Sequence, residues 1–170
     1  MSEDRLEQIL ARRDAAKKEI VNVDEPSVKL VIFMLGRDLF AFHGERIREI
    51  LSNAEIFFVP GCPHSLEGVI NVRGDIESVI GLHEILQLPQ TDKAGQSAIL
   101  LGRTSEMSSG VRVGPVIDVV DMPQSLLQPP PSNLPDNIRP FVSALLNFRE
   151  QAVTVLDLDH IFATYLKALG

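Results

Sequence analysis

Cysteine is almost absent from this 170-residue chain. Cys62 stands alone, so no internal disulfide can form and the fold must be held by its core. A single thiol also agrees with a reducing compartment. Basic residues are in the minority, with 16 Lys and Arg against 23 Asp and Glu for a net charge of −7. Affinity for a phosphate backbone comes from clustered Lys and Arg that displace counterions; no such cluster occurs, which argues against nucleic acid as a partner. No segment reaches the roughly 20 apolar residues of a membrane span, so no direct membrane insertion is expected. The first ten residues, MSEDRLEQIL, contain no uninterrupted apolar stretch of the kind a secretion signal needs, and a cytoplasmic location is expected.

Catalytic signatures are missing as well. There is no phosphate-cradling glycine loop followed by Lys, no dinucleotide glycine fingerprint and no Gly-x-Ser-x-Gly elbow. The four histidines, His43, His64, His83 and His160, are scattered, and only Asp157-Leu158-Asp159-His160 sets one beside carboxylates. Acids at a helix start cap free amides and favour the positive end of the helix dipole, and that is the reading adopted over a metal site. Cys62, between Gly61 and Pro63 with no adjacent His, lacks the setting of an activated thiolate. Neither an enzyme activity nor a cofactor or metal is expected.

What is present is 45% hydrophobic residues, enough for one ordinary domain or two small ones sharing a core. Residues 1–25 carry seven acidic and five basic side chains around a loose helical spacing of Leu6, Ile9, Leu10, Ala16 and Ile20. They read as a charged, weakly helical arm ending at Glu25-Pro26. Beyond it come short runs rich in Val, Ile, Leu and Phe at 30–35, 55–59, 68–72, 97–101 and 116–120, which predict strands. Gly36-Arg37-Asp38, Pro60-Gly61, Arg73-Gly74-Asp75 and Asn147-Phe148-Arg149-Glu150 supply turns of antiparallel connections. Arg73-Gly74-Asp75 also spells a tripeptide known from extracellular adhesion, a coincidence in a cytoplasmic chain; here Gly74 supports a tight turn. Helical patterns are expected at 45–51, where Ile47, Ile50 and Leu51 share a stripe, at 82–86 and, most firmly, at 158–169. Six prolines between Met122 and Pro140 make that stretch extended or irregular. The pattern predicts an all-β barrel arrangement with peripheral helices; no internal repeat is evident.

From Pro60 to Leu86 the sequence reads PGCPHSLEGVINVRGDIESVIGLHEIL. This resembles the central signature of CheW-like domains: a proline-containing turn, Gly-Val-Ile-Asn-Leu-Arg-Gly, one or two strand residues, then Pro-Val-Val-Asp-Leu. Flanking segments at 31–36, 46–50, 111–120 and 154–159 extend the resemblance over about residues 28–166. It implies a mostly β fold of two intertwined five-stranded SH3-like β-barrel subdomains with short helices and a C-terminal helix. Residues 1–27 would form the arm, 28–166 the domain and 167–170 the C-terminal end. It also implies a chemotaxis adaptor, binding the cytoplasmic tip of chemoreceptors and the regulatory domain of the histidine kinase CheA.

Carried over by motif match, Ile47, Glu49, Gly68 and Arg73 lie in or near receptor contact, with Asn71 and Gly74 in the same strand and turn. Ile47 also reads as core on its stripe, and Gly68 as a close backbone approach within a strand. An arginine beside a turn is normally solvated, yet its planar fork suits a fixed carboxylate; Arg73 is expected to pair with Glu49 and present a mixed-charge patch to a receptor helix. Ser78, Gly81 and His83 depart from the Pro, Asp and Arg usual in the family, changes that bear on which partner is recognised. A CheW-like scaffold of another receptor-kinase pathway, or a small-ligand-binding or enzymatic β-barrel protein, are the alternatives.

Overall fold

The computed structural model describes residues 25–89 and 96–169, so most of the charged arm lies outside the described residues. Among the described residues, ten strands form two five-stranded sheets. The first barrel is built from β1 (Ser27–Leu35), β2 (Asp38–His43), β8 (Val116–Pro123), β9 (Val142–Phe148) and β10 (Gln151–Leu156), in the order β8-β1-β2-β10-β9. The second, inserted between β2 and β8, holds β3 (Ile47–Leu51), β4 (Leu66–Val72), β5 (Asp75–Gly81), β6 (Ala98–Arg103) and β7 (Ser108–Val113), in the order β3-β6-β7-β5-β4. A one-turn helix α1 (Leu82–Ile85) follows β5, and α2 (Leu158–Leu169) follows β10.

Alternation along each strand feeds two cores at once. On β1, Leu30 and Ile32 face inward on Leu39, Ala41, Ala144, Leu146, Val153 and Val155, the private core of the first barrel. Their neighbours Val31, Phe33 and Leu35 face the second barrel and join Phe40, Phe42, Ile80, Leu100, Val111 and Val113 in a core shared by both. The second barrel keeps its own small core of Ile70, Val79, Ile99 and Leu101. Helix α2 seals the shared core with Leu158, Ile161, Phe162 and Tyr165, each fully buried aliphatic or aromatic side chain contributing roughly 1.5–3 kcal/mol.

The two barrels are copies of one plan. Across the second, paired residues run Glu49, Leu101, Gly110, Val79, Gly68; across the first, Asp118, Ile32, Ala41, Val155, Ala144. Both rows share the same sequence of antiparallel and parallel pairings, and β3 and β8 each carry a bulge beside the acidic residue. One constant shift along the chain brings Asn71 onto Asn147, Arg73 onto Arg149, Val79 onto Val155 and Leu82 onto Leu158. The repeat escapes sequence reading because few of its equivalent positions are identical.

Three expectations are corrected. Residues 45–51 are not a helix: a 3-10 turn at Gly44–Arg46 leads into β3. The bulge between Ile47 and Glu49 puts Ile47 and Ile50 against the same shared core and so counterfeits helical spacing. Residues 55–59 are not a strand but a crossing segment with one bridge, Phe57 to Val69, in which Ile56 packs inward while Phe57 and Phe58 stay exposed. Pro60-Gly61 accordingly does not join a hairpin, since β3 and β4 occupy opposite edges of their sheet. The helices expected at 82–86 and 158–169 and the irregular proline-rich connection are found.

One polar cluster lies within the second barrel. Arg112 is buried and donates through Nε and Nη2 to the two carboxylate oxygens of Glu67, with Nη2 also 3.3 Å from His83 Nδ1. Gly81 leaves room for the cluster, since a Cβ at that position would collide with Glu67 Oε1. The departures at positions 81 and 83 therefore sit in and beside one partly buried ion pair.

Candidate partner-binding site

The β4–β5 hairpin closes at the Val72–Asp75 pair, leaving Arg73 and Gly74 as a two-residue loop. Both have positive φ, 53° and 94°, as a type I′ turn requires. Glycine takes this conformation without strain; Arg73 takes it with help from its surroundings. Asn71 Oδ1 accepts the Gly74 N–H at 2.8 Å, fixing the loop from within.

Arg73 reaches across to β3 and donates through Nη1 and Nη2 to the two oxygens of Glu49, at 2.9 and 3.0 Å. The expected pairing is thus present, in bidentate form. It joins the hairpin at one edge of the barrel to the strand at the other and acts as a latch across the seam. Its hydrogen bond to Glu49, then the charge of Glu49, raises the Arg73 pKa above the ordinary guanidinium value. With 75% of its side chain exposed, the guanidinium keeps free donor capacity beyond the two bonds to Glu49. Nearby, Arg48 Nη2 lies 3.3 Å from both Glu77 Oε1 and Ser108 Oγ.

Gly68 acts by permitting close approach. A Cβ at that position would collide with the Phe57 carbonyl oxygen and lie 2.8 Å from Ile56 Cγ2, so the bare backbone lets residues 56–58 cross β4. Ile47 is half-buried against the shared core, two residues before Glu49 in β3. The structure thus links Glu49 to Arg73 and Asn71 to Gly74 by direct hydrogen bonds around one hairpin, with Gly68 buried in the same strand under the Phe57 backbone and Ile47 packed on the shared core.

Sequence reasoning missed three exposed apolar residues beside them. Phe57 is 51% exposed, Phe58 76% and Ile76 65%. Phe57 pairs with Val69, and two residues further along β4 Asn71 pairs with Ile76, which places Phe57 and Ile76 on one side of the sheet. The signal lay in Ile76 at an outward position of β5 and in two phenylalanines ahead of Pro60, which read as part of an ordinary strand.

The Asp157–His160 segment is helix-start chemistry. Asp157 Oδ1 accepts the His160 N–H at 3.2 Å, Asp159 binds Arg46 Nε at 3.0 Å, and the His160 ring lies edge-on to Phe141. Among the described residues no helix is long and apolar enough to cross a membrane.

Known proteins resemble this chain over the same span. The model of the CheW-like domain matches residues 29–165. The probable chemotaxis protein CheW of Rhizobium etli is 23% identical over 144 residues, 85% of this chain and 93% of that protein. The chemotaxis protein CheW of Thermotoga maritima is 27% identical over 133 residues, 78% of this chain and 86% of that protein. Among solved structures, the scaffolding protein TtCheW from Thermoanaerobacter tengcongensis superposes with a TM-score of 0.69 at 23% identity, covering 78% of this chain and 90% of its own.

Proposed function

Because this chain belongs to the CheW-like domain family, we propose that it is a non-enzymatic chemotaxis adaptor coupling chemoreceptors to the histidine kinase CheA. The observation that carries this reading is the family match across both barrels, from β1 into α2. The adaptor works by binding alone: one surface takes the receptor's helical hairpin tip, another takes the regulatory domain of the kinase, and the chain holds the two together. It does so in the cytoplasm, with residues 28–166 as the working domain, 1–27 as an arm and 167–170 as the C-terminal end.

The receptor surface we propose is the β4–β5 hairpin and its neighbours: Glu49, Gly68, Asn71, Arg73 and Gly74, with Ile47 packed on the shared core two residues before Glu49. The Glu49 latch holds Arg73 in a fixed pose, so its unused donors meet an acidic side chain of the receptor at little further entropy cost. Calorimetric titration against a receptor cytoplasmic fragment and the kinase regulatory domain tests this. Arg73→Ala should weaken the receptor contact and leave the kinase contact intact; equal affinity of wild type and variant for the receptor fragment would contradict the site, and binding of wild type to neither partner would contradict the adaptor role.

A further inference from the structure

The internal duplication separates what a barrel needs from what a partner needs. The first barrel has its own latch: Arg149 Nη2 lies 2.8 Å from Asp118 Oδ2, and Asp118 and Arg149 occupy the positions of Glu49 and Arg73 in the duplicated plan. Arg149 sits, like Arg73, first in a two-residue hairpin loop and at positive φ. Asn147 repeats Asn71. A feature present in both copies, spanning the same pair of edge strands, is explained by closing a barrel and does not by itself mark a docking face.

The copies differ in apolar character. Ile76, paired with Asn71, is replaced by Ala152, paired with Asn147. Phe57, bridged to Val69, is replaced by Gln128, bridged to Leu145. Gly74 is replaced by Glu150. At these positions the second barrel keeps two large apolar side chains in water on one side of its sheet, with Phe58 next in the chain, where the first has polar or small ones; the apolar residues that the first barrel exposes, Ile117, Val119 and Leu126, lie elsewhere in its plan. Apolar groups left exposed together beside a fixed cation mark a surface that is covered in use.

We infer that Phe57 and Ile76 are the apolar anchors of the receptor-binding face, and that Arg73 sets the register of a partner those anchors hold. The occupant is an amphipathic helix whose apolar stripe covers Phe57 and Ile76 and whose flanking carboxylate meets Arg73. The patch is continuous with the proposed receptor surface, since Ile76 stands directly opposite Asn71 in the same hairpin, and the inference rests on that reading. Gly68 belongs to the arrangement as the residue that lets the Phe57 segment cross β4.

The test is calorimetric titration of the full chain with a receptor cytoplasmic fragment and, separately, with the kinase regulatory domain, using wild type, F57S/I76S and V119S. Val119 is an exposed apolar residue of the first barrel and serves as the control. All substituted side chains are exposed, so the unfolding midpoint should hold and report that each variant is folded. F57S/I76S should bind the receptor fragment about ten-fold or more weakly, while its kinase affinity and both affinities of V119S stay within about two-fold of wild type. Unchanged receptor affinity in folded F57S/I76S, or loss of kinase binding instead, overturns the anchors while leaving the adaptor reading in place. Failure of wild type itself to bind the receptor fragment sinks that reading and the anchors with it.

Discussion

Arg112 and Glu67 lie within the second barrel as a two-point ion pair, and removing Arg112 leaves the Glu67 carboxylate largely out of water with only the His83 ring, 3.8 Å away, beside it. Arg112→Leu should therefore destabilise by about 3 kcal/mol, because breaking a buried pair costs more than the pair itself contributes; urea unfolding reads this, and a loss of only a few tenths would show that water reaches Glu67 freely. Tyr165 offers a second probe. Burial is the main cause that raises its phenol pKa above 10.0. The folded state thus holds the proton more tightly than the unfolded state, so this contribution to stability is complete below pH ~10 and is lost as pH rises past it. With one Tyr and no Trp in the chain, tyrosinate absorbance follows this group alone; titration at the ordinary value would contradict its burial.

Among elements, the crossing segment at 56–58 and the strand beneath it form one device. Gly68→Ala forces a Cβ into the Phe57 backbone and should cost about 1–3 kcal/mol of stability as the segment shifts, with weaker receptor binding as the accompanying sign; a fully stable variant with wild-type binding would show that the crossing tolerates displacement. Much of this level was legible in the sequence. The apolar runs of β1, β4, β6 and β8 announced themselves, as did the 158–169 helix and the Arg73-Gly74 turn. The pairing of Arg73 with Glu49 was legible from residue chemistry and the family resemblance. What failed did so for physical reasons: a bulge at Arg48 imitated a helical stripe, and residues 55–59 looked like a strand because an apolar run alone does not say whether it pairs along its length or, as here, only at Phe57. The parallel pairs β2–β10 and β5–β7 were beyond local patterns, since they depend on strands far apart in the chain.

At the scale of the molecule, two copies of one barrel share a core to which both contribute, with α2 sealing it. Phe162 is fully buried there, and Phe162→Ala should cost about 3–5 kcal/mol. Because the cavity opens in the shared core, both barrels should still unfold in one cooperative transition at a lower denaturant midpoint; two separated transitions would mean the barrels are independent. A rigid two-barrel body suits an adaptor, since it keeps two binding faces at a fixed separation. The most direct test of that role is whether the receptor fragment and the kinase regulatory domain co-migrate in analytical size exclusion only when this chain is present. The account predicts a three-component complex that disappears without the chain. Formation of either two-component complex at the expense of the other, with no species containing all three, would contradict it.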